Sequence, residues 1–156
     1  MSAALQICIE RESVLVQAFI DAIDAEARAL ADRKAHDALQ QAAQEKEALA
    51  EQLGALSVQR DELLAGLGLP DGHEGTQLAA AQFPELAESW NRLLEYAAVA
   101  RERNERNGAM ISASLLHTQQ ALDVLRQLNE GDNASATYDA QGRGRRGYGQ
   151  RSIIAT

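Results

Sequence analysis

The residues best suited to catalysis or metal binding in this chain stand apart from one another. His36, His73 and His117 share no metal-ligand spacing with each other or with Cys8, the single cysteine. A di-metal carboxylate bundle would need Glu-x-x-His repeats on facing helices. The residues three before the histidines are instead Arg33, Pro70 and Ser114. The glycine-rich run at residues 66–76 lacks the Gly-Lys-Ser/Thr ending of a phosphate loop. The many carboxylates recur at intervals that suit solvated helix exteriors. These patterns predict no catalytic residue, no metal ligand and no cofactor.

The chemistry that remains is that of packing. From Leu86, steps alternating between four and three residues give Trp90, Leu93, Ala97, Ala100, Asn104, Asn107, Ile111, Ser114, Thr118, Ala121, Leu125 and Leu128. That is a coiled-coil-like seam, apolar at both ends and polar at Asn104 and Asn107. Leu115, Leu116, Leu122 and Val124 widen it beyond what one partner helix covers. The helix therefore reads as serving its own bundle and something outside the chain. Asn104 and Asn107 have two readings, a register-fixing polar layer or a direct contact to that partner. Gly108 beside them costs roughly 1 kcal/mol in a helix interior. Close helix approach or a soft hinge would account for it.

Alanine, leucine, glutamate, glutamine and arginine dominate, aromatics are 4%, and prolines number two in 156 residues. That composition predicts an all-α protein, an elongated antiparallel bundle of three or four long helices with a flexible C-terminal tail. A first helix is expected over about residues 2–33, carried by Leu5, Cys8, Leu15, Phe19, Ala22, Ala29 and Leu30, with Glu12 and Glu26 interrupting the pattern. Asp37 and Gln40 resemble a capping box opening a second helix at 37–66. One continuous helix through residues 33–37 is the alternative. In the second helix Leu39, Lys46, Leu53, Arg60 and Leu67 form one heptad column. Lys46 and Arg60 at seam positions are expected to run their stems along apolar surface and keep the charge wet. The other reading is that they fix register against acidic groups or the two asparagines.

The run at 66–76 is expected as the main break, with a turn of helix at Gln77–Gln82. Pro84 suits a first helical position, and a last helix at 83–130 should end at Gly131 as a C-cap. Residues 1–130 then form the helical domain and 131–156 a disordered basic tail.

Residues 1–130 carry 11 basic and 21 acidic side chains, whereas 131–156 carry four arginines against two aspartates. An acidic body repels phosphates, so nucleic-acid binding is not expected despite the Arg-Gly-Arg-Arg run of the tail. No stretch approaches the roughly 20 apolar residues of a membrane span, and the N-terminus lacks the pattern of a secretion signal. The expected location is a reducing cytoplasm, with Cys8 packed as a small apolar residue.

At Asn104-Glu-Arg-Asn107-Gly108, followed by Ala-Met-Ile, the chain resembles the FlgN family of bacterial flagellar export chaperones. Further motifs agree in order and spacing. Glu45-Lys46 precedes a ladder of Leu49, Leu53 and Leu56, and Trp90 lies early in the last helix. Gln119-Gln120-Ala121-Leu122 and Val124-Leu125 follow, then Tyr138-Asp-Ala-Gln-Gly142 and a near-terminal Ile153-Ile154. The resemblance implies a cytosolic chaperone without ATPase activity, whose clients are the hook–filament junction proteins FlgK and FlgL. It also implies that the C-terminal amphipathic region holds the client's disordered C-terminal segment. The candidate client-binding residues are thus Asn104, Asn107, Ile111, Leu115, Leu122 and Leu125. A tail tyrosine docks the family on the export gate protein FlhA, and Tyr138 is the matching position. The Arg-rich insert after Gly142 departs from the family pattern. A generic coiled-coil scaffold that associates with itself is the alternative.

Overall fold

Strong helix formers at three- and four-residue intervals, with breakers in only a few places, produce four helices among the described residues. The computed structural model describes residues 2–140, and side chains within residues 2–131. It contains α1 (Ser2–Leu30), α2 (His36–Gly66), α3 (Gly72–Gln82) and α4 (Pro84–Ala140), with no strand among the described residues. The all-α reading holds.

Several boundaries differ from expectation, each for a local reason. α1 stops at Leu30 and not near residue 33. The Asp32 carboxylate accepts the Lys34 N–H at 3.0 Å, and its carbonyl accepts the Ala35 N–H at 3.1 Å. These bonds turn the chain, so α1 and α2 are separate helices. The turn also sets the start of α2 ahead of Asp37. The N-cap is Ala35, which has no side chain able to cap, so Asp37 and Gln40 form no capping box.

α2 ends in a Schellman motif. The Leu69 N–H donates to the Leu64 carbonyl at 2.9 Å, and the Gly68 N–H to that of Ala65 at 3.0 Å. Gly68 supplies the positive φ of 75° that this ending requires. Only residues 67–71 then separate α2 from α3, a shorter break than 66–76. α3 begins at Gly72 because Asp61 of α2 caps it from outside, accepting the Gly72 N–H at 2.8 Å. Sequence reading missed this donor-acceptor pair because its members lie eleven residues apart.

Pro84 opens α4 as its first helical residue, with Glu85 in the first turn. The helix does not end at Gly131 but runs on to Ala140. A single glycine lowers helix propensity by about 1 kcal/mol without blocking a backbone bond, and no proline follows to force a stop.

The chain divides into two units, Met1–Met110 and Ile111–Thr156. In the first, α1 and α2 run antiparallel and α4 runs alongside α1 in the same direction. The pairs Cys8–Leu56 and Glu26–Lys46 show the former, and Glu10–Ser89 and Asp24–Arg103 the latter. The core is Leu5, Ile9, Val16 and Ile23 of α1, Leu64 of α2, Ala79 of α3, and Leu86, Trp90 and Leu93 of α4. No helix of the described residues is long and apolar enough to cross a membrane.

Polar layers and candidate binding surface

The charges that interrupt the apolar seams meet one another inside the first unit. Glu12 and Glu26 of α1 are fourteen residues apart, as are Lys46 and Arg60 of α2. Two heptads therefore separate two buried polar layers. In one, Arg60 Nη1 lies 3.2 Å from Glu12 Oε2, and the guanidinium stacks 5.6 Å from the centroid of the Trp90 ring. Trp90 Nε1 donates to Gln77 Oε1 of α3 at 2.8 Å, and the His73 ring packs 5.2 Å away. In the other layer, Glu26 Oε1 accepts from Lys46 Nζ at 3.0 Å and from Asn107 Nδ2 at 2.9 Å. Asn107 Nδ2 also donates to the Ile23 carbonyl at 2.8 Å, and Lys46 donates to Asn104 Oδ1.

The layers differ in how well they are satisfied. The Glu26 carboxylate is held by two aligned donors. Glu12 Oε2 and Arg60 Nε have no aligned hydrogen-bond partner among the described residues, although their charges are paired. Burial pushes the Glu12 carboxyl above the usual carboxylate range; Arg60 pulls it back and Asp61 adds to the rise. Burial, with Glu12 close by, likewise raises the Cys8 thiol. Cys8 is packed in the core region and its thiol donates to the Leu56 carbonyl.

Lys46 and Arg60 therefore are not solvated stems. They meet acidic groups and Asn104, the second of the two sequence readings. The sequence did carry a signal for this. Charged residues interrupt the apolar columns at fourteen-residue intervals on two helices: 12 and 26 on α1, 46 and 60 on α2.

The candidate site residues fall into two groups. Asn107 is 2% exposed and bonded within the bundle. Asn104 is exposed and its Oδ1 accepts from Lys46. Ile111 is half-buried, and Leu115, Leu122 and Leu125 are open to solvent at 66%, 48% and 61%. Every residue at 112–131 is exposed, and Leu116, Val124 and Leu128 add to the uncovered apolar surface. His117 is exposed on the same helix, and His36 opens α2. Gly108 has nothing within 4 Å of where a Cβ would sit, so close helix approach does not explain it. The Tyr138 backbone lies within α4, but its side chain is outside the described residues, as are Ile153, Ile154 and the Arg-rich run.

A helix carrying that much contiguous apolar surface marks a protein-binding bundle. The polar groups of the first unit bond helix to helix, and the apolar side chains at residues 112–131 are exposed. The chain belongs to the FlgN family: the family model described as FlgN protein matches residues 1–146. FlgN proteins are chaperones of flagellar export and bind export substrates. No curated protein and no solved structure matches the chain.

Proposed function

We propose that the chain is a cytoplasmic, non-catalytic chaperone. It holds the C-terminal segments of FlgK and FlgL before export and brings them to the gate protein FlhA. The observation that carries this reading is the exposed apolar stripe of α4 at Leu115, Leu122 and Leu125, continued by Ile111. Residues four and three apart present one face, the spacing at which a groove receives an amphipathic helix. Each leucine is about half exposed or more, so covering it contributes roughly 1 kcal/mol or more. Ordering a disordered client segment costs about 2–5 kcal/mol. That ordering cost offsets much of the gain from burial, which keeps affinity moderate and permits release at the gate. Asn104 and Asn107 assist by keeping α4 in register, through the bonds to Lys46, Glu26 and the Ile23 carbonyl.

The test is calorimetric titration of FlgK and FlgL into the chain and into a Leu115→Asp/Leu122→Asp variant. Weakened binding with unchanged helical circular dichroism is expected. Undiminished binding, or a variant that unfolds, removes these leucines from the client surface. A self-associating scaffold would ignore both junction proteins from the outset.

A further inference from the structure

A second uncovered apolar surface lies in the first unit, between α1 and α2. Ile7, Arg11 and Val14 are spaced by four and three residues and so form one line along α1. Ile7 is 53% and Val14 63% exposed. Leu15, Ala55 and Leu56 complete a groove of about 580 Å³. After Val14 the exposed positions of α1 are polar: Gln17, Asp21 and Arg28. β-Branched residues on an exposed helix face lower helix propensity and expose apolar area, so packing within the bundle does not account for Ile7 and Val14.

The charges on the rim narrow the choice of occupant. The Glu10 carboxylate is already engaged, accepting from Gln6 at 3.0 Å and from Ser89 at 3.1 Å. Arg11 makes none of the ion pairs found among the described residues. A guanidinium placed midway between two apolar contacts matches a carboxylate midway between two apolar side chains. The body as a whole is acidic. An anionic partner is therefore welcome only where it meets Arg11, which fixes its register more than its affinity.

We propose that this groove is a second client site. It takes an amphipathic helical segment whose apolar side chains lie seven residues apart, with Asp or Glu three or four residues in. This rests on the client reading above and adds a contact remote in sequence from the α4 stripe. The volume suits a few side chains on about two turns of helix, so it accommodates a short anchor and not a folded domain.

Overlapping peptides tiling FlgK and FlgL, titrated by fluorescence anisotropy into the full chain, test it. At least one peptide with that pattern should bind the wild type and the Leu115→Asp/Leu122→Asp variant alike. Val14→Asp and Arg11→Glu should each weaken it roughly tenfold. Changing the peptide's acid to Lys should restore binding to Arg11→Glu. Both groove substitutions are at exposed positions, and circular dichroism confirms the fold. If every bound peptide is lost only with the α4 variant, the groove proposal falls and the client reading stands. If no peptide binds at all, both fall. A dimer of the chain alone that Val14→Asp disperses would show that a second copy holds the groove, and would overturn the proposal.

Discussion

Glu26 carries more of the first unit's polar order than any other side chain. One oxygen receives both Lys46 and Asn107 while the side chain is almost fully buried. Removing a partner from a buried ion pair typically costs about 3–5 kcal/mol, because the remaining charge loses both water and counter-charge. Glu26→Ala should therefore lower the urea midpoint markedly. Glu12→Ala should cost less, because its carboxylate is raised by burial and less well bonded, so less favourable interaction is lost. Parallel urea melts of the two variants check the ordering. Equal losses would mean that hydrogen-bond satisfaction does not separate the layers. At this scale the sequence was only partly legible. Glu12, Glu26, Lys46 and Arg60 are visible as faults in apolar columns. That the faults match each other depends on which helices are neighbours, and the sequence does not state that directly.

Elements were more legible, because helical periodicity is local. α2 spans His36–Gly66 where 37–66 was expected, and α4 begins at Pro84 where a proline favoured a start. One error falls where a distant residue decides. Asp61 caps α3 at Gly72, turning what looked like loop into helix. Gly75 shows how tightly that loop is set. A Cβ there would come within 1.5 Å of the Pro70 carbonyl oxygen. Gly75→Ala must push α3 off the turn, and overpacking of this kind costs typically about 1–3 kcal/mol. Gly108→Ala has free space and should stabilise the chain by up to roughly 1 kcal/mol. Thermal melts of both variants should shift in opposite directions. A shift of the same sign would show that the α3 turn yields, or that Gly108 has a packing role.

For the whole molecule, the proposal assigns holding of the client and docking at the gate to different residues. The α4 stripe is described side chain by side chain, whereas the gate contact rests on Tyr138, whose side chain is outside the described residues. Tyr138→Ala should weaken pull-down of FlhA while leaving FlgK and FlgL binding unchanged. Loss of both would mean that the tail and the client surface act together. The family was legible because its motifs keep their order along the chain: Asn104 to Gly108, then Gln119 to Leu125.

Alanine-rich helices can slide past one another at little cost, since one small side chain replaces another. In the column of α2 that faces Glu12 and Glu26, the residues seven away from Lys46 and Arg60 are Leu39, Leu53 and Leu67. A one-heptad slip would press both carboxylates against leucine. A two-heptad slip would match one cation and strand the other. The two ion pairs, like a key cut with two teeth, admit a single alignment and reject its near copies.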